Sequence, residues 1–271
     1  MTVRRRISKK TPCCNLLGYI EAAEGIGLST ATFPLRTIVI NLDRRADRWK
    51  SCRERLQPFV DGKLLRVERM PATDGLACEV PESVVMKSWT TDTNAKYDGR
   101  PGYKAGVQLD LTTGERGCAM SHVRAWRSVA AARKATQPVL VMEDDAVMSE
   151  EFEAGLRRAL AMTKASTVDV LYLGYINGAP WRSHFGPGLE WAEYLWTTVA
   201  YLLWPKGAQR LLASLPVQGP IDNFMASRMS MRRLDALAIV PPIVEQELEW
   251  DEGSDVRHSD DAVFSDGDAD V

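Results

Sequence analysis

Three acids stand in a row at Glu143-Asp144-Asp145, directly after the apolar run 138–142. In an extended segment residues i and i+2 point to the same side. Glu143 and Asp145 are therefore expected to converge on one cation while Asp144 faces away. Hard divalent ions such as Mn2+ or Mg2+ take oxygen ligands and often hold substrate phosphates as well. The plain alternative is an acidic turn that caps a helix beginning near Ser149. A second pattern, Asn41-Leu42-Asp43-Arg44-Arg45-Ala46-Asp47-Arg48, sets Arg44 and Arg48 one helical turn apart. Two guanidinium groups so spaced could hold a diphosphate or a ribose. On a solvated helix face they would make only surface ion pairs, worth at most ~1 kcal/mol.

Other candidates are single residues with two readings each. Ser121 and His122 fall on a helix opened by Thr112-Thr113-Gly114-Glu115, which fits the S/T-x-x-E capping box. His122 lies on that helix's apolar face with Cys118, Ala125, Trp126 and Val129, where a hydrogen-bonded core histidine is the ordinary outcome. Asp222 follows Pro220 in the first turn of a predicted helix. There it either offsets the helix dipole or serves as a general base. His258 sits among Asp255, Ser259 and Asp260, as a late metal ligand or as part of a polar tail. Trp181, Trp191 and Trp196 could stack on sugar faces or anchor a loop on the core.

These residues need a scaffold, and the hydrophobic pattern supplies one. Residues 37–42 and 138–142 read as buried strands, and 168–174 and 197–203 as two more. Helices are predicted over 44–56, with Asp43 as cap, and over 115–134, 150–163 and 206–215. A further helix starts at Pro220, and residues 238–240 form a last short strand before an acidic tail. Residues 76–110 and 175–195 read as long loops. Strands alternating with helices predict an α/β sandwich around a mixed, mostly parallel sheet. Ligands in such sheets bind at the carboxyl ends of strands, where the acidic triplet falls.

Composition narrows the class. The 271 residues are 45% hydrophobic and 26% charged, which excludes wholesale disorder, collagen-like repeats and coiled coil. The net charge of −2 hides an asymmetry: residues 245–271 carry eleven Asp/Glu against one Arg, and the rest is basic. Five scattered cysteines without a CxxC pair argue against a zinc ribbon or a thioredoxin-like site. No apolar run approaches the ~20 residues of a membrane span. The basic first ten residues lack a secretory signal's apolar core, so a cytoplasmic protein is expected, with an organellar leader as the other reading. Basic residues do not interleave with aromatics beyond that leader, which disfavours nucleic acid as a partner.

In their order along the chain the motifs are more specific. Ile38-Val39-Ile40-Asn41-Leu42-Asp43-Arg44 with Arg48 resembles the opening of glycosyltransferase family 25. Ala72-Thr73-Asp74-Gly75 is similar to that family's Ala-x-Asp-Gly motif. The run from Leu111 through Gly117-Cys118 to Ser121-His122 resembles its Leu-Thr-x-Gly-Glu-x-Gly-Cys-x-x-Ser-His signature. Val141-Met142-Glu143-Asp144-Asp145, Leu171-Tyr172-Leu173-Gly174 and Pro220-Ile221-Asp222 match its later motifs. So does the closing stretch from Pro241 to Asp255. Ala200-Tyr201 departs from the family's Gly-Tyr, and residues 76–110 match poorly.

The resemblance implies a single GT-A domain over 36–258; charge and composition leave a basic flexible leader, 1–35, and an acidic disordered tail, 259–271, on either side of it. It implies a UDP-sugar donor, with galactose the commonest sugar, and a glycan, glycolipid or protein hydroxyl as acceptor. Asn41, Arg44, Arg48, Asp74 and Asp144 would line the donor pocket, with Ser121 and His122 beneath it. Glu143, Asp145 and His258 would hold Mn2+ or another divalent cation. Asp222 would act as base in an inverting transfer. A non-catalytic glycan- or nucleotide-sugar-binding protein on the same fold is the alternative. A metal-dependent nucleotidyltransferase ranks behind both, for want of a Gly-rich triphosphate loop.

Overall fold

The computed structural model describes residues 32–132 and 136–247. In its eight-stranded sheet β1 (Leu35–Asn41) pairs in parallel with the edge strand β2 (Leu65–Pro71) on one side and with β5 (Val139–Glu143) on the other. The crossover from β1 to β2 is α1 (Ala46–Asp61). Beyond β5 the sheet continues through β10 (Leu195–Leu203), β7 (Val170–Asn177), β11 (Ala236–Ile239), β9 (Leu189–Trp191) and β8 (Ser183–Gly186). Strands β2, β1, β5, β7, β11 and β8 point one way, while β10 and β9 run against them. The expected mixed, mostly parallel α/β arrangement is thus present.

Alternation along the strands fills two cores. Ile38, Ile40, Val139 and Val141 pack on one face with Trp126 and Val129 of α2 (Thr113–Ala130), Leu211 of α4 (Pro205–Leu212) and Phe224 of α5 (Ile221–Ser230). Val39, Leu140 and Met142 pack on the other face with Cys52 and Leu56 of α1 and Phe152 and Leu156 of α3 (Phe152–Met162). Helices therefore cover both faces of the sheet, which is why its central strands are apolar throughout. The chain leaves β1 toward β2 but leaves β5 toward β7. Neighbouring strands with diverging connections open a crevice at their carboxyl ends. Asn41 and Glu143 stand at its two sides.

The remaining strands are short. β3 (Ser88–Thr90) and β4 (Gln108–Asp110) pair within the segment expected to be loop, around a 3-10 turn at Asn94–Lys96. β6 (Ala146–Met148) and β12 (Val244–Gln246) pair beside the acidic turn. The segment 175–195 is likewise no simple loop, since it holds the end of β7 and the β8–β9 hairpin. Two of its tryptophans anchor that hairpin: Trp191 stacks edge-on against Phe185 and Trp181 against Tyr175. β2 was not expected at all, because it is a half-exposed edge strand carrying Arg66, Glu68 and Arg69. Asp43 does not cap α1, whose N-cap is Arg45 without a side-chain bond. Its carboxylate instead accepts a 2.7 Å bond from Arg69. The Thr112–Glu115 capping box is present as expected.

Candidate active site

A cleft of about 350 Å3 opens at the carboxyl ends of β1 and β5. Asn41, Arg44, Arg48, Asp74, Ser121, His122, Glu143, Asp144, Asp145 and Asp222 all line it. His258 lies outside the described residues, as do the predicted leader through residue 31 and the tail beyond 258. Trp196 is the tryptophan of the three that reaches the cleft wall.

The acidic triplet departs from the expected alternation. β5 ends at Glu143, and Asp144 and Asp145 form a turn, so all three residues line the cleft rather than two of them. Each meets different surroundings. Glu143 accepts a 2.6 Å bond from the Thr198 hydroxyl and has His122 Nε2 at 3.3 Å. Burial pushes its pKa up, but these two neighbours more than offset that and hold it below the usual carboxylate value. Asp144 accepts from the Asn41 amide at 2.6 Å and has Arg48 at 3.4 Å. Its burial outweighs both contacts and raises its pKa. Asp145 accepts a 3.0 Å bond from Gln246, while its Oδ1 is buried without any partner. Burial first, and then repulsion by Glu143, push its pKa up to about 7.

The donor set of the turn suits a hard divalent cation. A buried carboxylate oxygen without a partner is costly, and a cation is the group that would satisfy it. Glu143 and Asp145 are the residues that could hold it, through oxygen alone.

Four further contacts build the walls. Arg44 donates to Asp74 at 2.8 Å, and Asp74 also accepts from the Leu76 amide at 3.0 Å. The arginine bond leads in lowering the Asp74 pKa. Ser121 is occupied structurally: its hydroxyl donates to the Gly117 carbonyl and accepts from the Thr73 amide, both at 2.8 Å. It pins the 72–75 loop to α2, against which the loop lies too close for side chains. A Cβ on Gly75 would sit 1.8 Å from the Thr113 carbonyl oxygen, and one on Gly117 2.6 Å from that of Thr73. His122 is fully buried, with Nδ1 bonded to the Tyr201 hydroxyl at 2.8 Å, and Tyr201 accepts from Trp126 at 3.0 Å. Arg55 ties α1 to the site through the Asp144 carbonyl and Glu247, both at 2.9 Å.

Asp222 also lines the cleft, from the first turn of α5. Its Oδ1 accepts from the Asn223 amide at 2.7 Å and its Oδ2 from the Thr197 amide at 3.2 Å. Thr197 adopts a φ of 68°, a left-handed conformation that is unfavourable for a β-branched residue. It falls where the β7–β10 register shifts, and its own hydroxyl is buried without a partner. The strained backbone thus aims an N–H at the carboxylate. Asn94 in the 76–110 segment accepts from Trp196 at 2.9 Å and Tyr194 at 3.2 Å, anchoring that segment beside β10. Sequence reasoning missed Thr197, Thr198, Gln246 and Arg55. The register shift near Thr197 has no sequence signal. Gln246 and Arg55 reach the turn only through tertiary contacts.

Helices on both faces of a mixed sheet, with an acid-lined cleft at the switch point, define a protein class: the arrangement is consistent with a GT-A-like glycosyltransferase fold. The model of glycosyltransferase family 25, described as an LPS biosynthesis protein, matches residues 35–186. That is more than half of the chain, and the chain belongs to glycosyltransferase family 25. A human protein named inactive glycosyltransferase 25 family member 3 is 34% identical over 195 residues, 69% of this chain and 30% of that protein. A glycosyltransferase 25 family member of Drosophila pseudoobscura is 30% identical over 197 residues, 69% of this chain and 29% of that protein. Mouse procollagen galactosyltransferase 2 is 26% identical over 196 residues, with coverages of 69% and 29%. The chain thus spans about 30% of the length of these relatives. No helix among the described residues is long and apolar enough to cross a membrane.

Proposed function

We propose that this chain is an inverting, divalent-cation-dependent glycosyltransferase that moves a sugar, galactose first among the candidates, from a UDP-sugar to an acceptor hydroxyl. The observation that carries the reading is that one cleft is lined both by an acidic turn with a buried, unpartnered carboxylate oxygen on Asp145 and by the carboxylate of Asp222. Membership of the family supports it, as does the name of the mouse relative.

The roles follow from the contacts. Asn41, Arg44, Arg48 and Asp74 form the donor wall, where the two arginines meet diphosphate charge and Asp74 meets the ribose hydroxyls. Asp144 holds Asn41 and Arg48 in place rather than touching the sugar. Ser121 and His122 support the floor beneath the donor. A divalent cation on Glu143 and Asp145, Mn2+ or Mg2+, would supply positive charge against the departing diphosphate. The acceptor oxygen attacks the anomeric carbon from the face opposite the diphosphate. As the new C–O bond forms, the bond to the diphosphate breaks and its electron pair leaves with UDP. The acceptor's proton passes to Asp222. The Thr197 and Asn223 amides fix that carboxylate in the cleft wall, where it would meet the incoming hydroxyl. The transition state has the oxocarbenium character of glycosyl transfer in general.

A second reading, binding of a nucleotide sugar without transfer, is favoured by the name of the human relative, which calls that protein inactive. Both readings require donor binding, so thermal unfolding with UDP-Gal, UDP-Glc, UDP-GlcNAc or UDP-GalNAc comes first. One UDP-sugar with Mn2+ is expected to raise Tm by several degrees, about 3 kcal/mol at a hundredfold excess over Kd, and to lose the effect in EDTA. No shift with any of the four would remove the donor assignment.

A further inference from the structure

We propose that Cys118, His122 and Glu143 form a second cation site, one that takes a zinc-class ion rather than the hard cation of the acidic turn. Cys118 and His122 are four residues apart on α2, so their side chains lie on one face a single turn apart. Glu143 meets them from the end of β5. One ligand atom from each lies within 4.8 Å of the others. Independently of that spacing, His122 is fully buried and its Nε2 makes no hydrogen bond, although Glu143 Oε1 is 3.3 Å away. A buried imidazole nitrogen without a hydrogen bond, beside a thiol and a carboxylate, has the lone pair and the neighbours that a metal ion requires.

The chemistry of the set selects the ion. Thiolate and imidazole bind Zn2+, Co2+ and Cd2+ far better than Mg2+ or Mn2+. Zinc–ligand bond lengths place neighbouring ligand atoms of such a set about 3.3–3.5 Å apart in a tetrahedron. His122 Nε2 and Glu143 Oε1 already stand 3.3 Å apart, and the trio as a whole lies within 4.8 Å, so a small side-chain rotation closes it. Cys118 gives its proton to solvent on coordination. Outer contacts of the kind that orient metal ligands are already in place: Tyr201 on His122 Nδ1, and Thr198 on Glu143. All three residues line the cleft, which leaves a fourth position open toward it. Glu143 belongs to both sets, so a zinc-class ion competes with the hard cation. That consequence rests on the proposed function; the binding site does not.

Co2+ titration of the full chain under reducing conditions tests the site without any assay of transfer. One equivalent should produce a thiolate-to-cobalt charge-transfer band with the visible bands of tetrahedral Co2+, and Zn2+ should abolish both. Cys118→Ser and His122→Gln should each weaken Co2+ binding by at least about 100-fold. A variant with Cys13, Cys14 and Cys78 changed to Ser leaves the cluster intact and should keep the full signal. No thiolate band in the wild type, an unchanged band in Cys118→Ser, or its loss in the triple variant would each overturn the proposal.

Discussion

Asp222→Asn is expected to lower sugar transfer by about 10²- to 10⁴-fold while donor binding stays within a few-fold of the wild type. The substitution keeps the shape of the side chain and one acceptor oxygen, so of the Asn223 and Thr197 amides, which now donate to separate carboxylate oxygens, one keeps its acceptor and the other loses it, at a cost to the fold of about 1–3 kcal/mol. What it removes is the capacity to take a proton from the acceptor hydroxyl. Because the cation is assigned to Glu143 and Asp145 rather than to Asp222, the Mn2+-dependent thermal shift with a UDP-sugar should survive. Parallel measurement of transfer and of that shift separates the two outcomes. Unimpaired transfer would eliminate Asp222 as the base. Loss of donor binding along with transfer would make it a structural or donor-binding residue instead.

The second large effect concerns Asp145. Its pKa is pushed up to about 7 by burial and by Glu143, against about 3.9 for an exposed aspartate. The folded, cation-free protein therefore binds a proton there that the unfolded chain has already lost. Stability from this group is greatest at low pH and declines as pH rises toward 7, on the order of 2–4 kcal/mol in all. Asp145→Asn removes that penalty. Without divalent cation, its Tm at pH 8 is expected to exceed that of the wild type by several degrees, with a smaller gap at pH 5. The same variant should lose the Mn2+-dependent stabilisation and nearly all transfer. For the wild type, Mn2+ should bind more tightly as pH climbs through 7, because cation and proton compete for one carboxylate. Calorimetric scans at pH 5 and pH 8 check the stability claim; equal melting points for wild type and variant at pH 8 would contradict it. A variant more stable yet inactive is the usual mark of a site that trades stability for function.

The contrast between the two residues shows what a sequence can disclose. Glu143-Asp144-Asp145 was visible because an apolar run ends there, and strand ends are where α/β sheets bind ligands. Asp222 was visible as an acid in a helix's first turn, and Thr112–Glu115 as a cap. Asp144 joins the cleft lining because alternation holds only while the strand continues, and β5 ends at Glu143. Thr197 carried no signal, since a left-handed threonine depends on how β10 meets β7 rather than on its neighbours in the chain. β2 and the β8–β9 hairpin were hidden for a similar reason. An edge strand with charges along it, or a strand of three or four residues, has too little apolar pattern to stand out.

Family membership leaves one question open between two kinds of relative, those named for galactosyl transfer and those named inactive. Release of UDP from UDP-galactose, followed over time with Mn2+ and with EDTA and with Asp222→Asn alongside, addresses it most directly. Metal-dependent turnover by the wild type that stops in EDTA and falls by at least about 100-fold in Asp222→Asn is the expected result. Tight Mn2+-dependent binding of the UDP-sugar with no UDP release, with or without a panel of acceptor sugars, would make the chain a binding protein and contradict the proposed transfer.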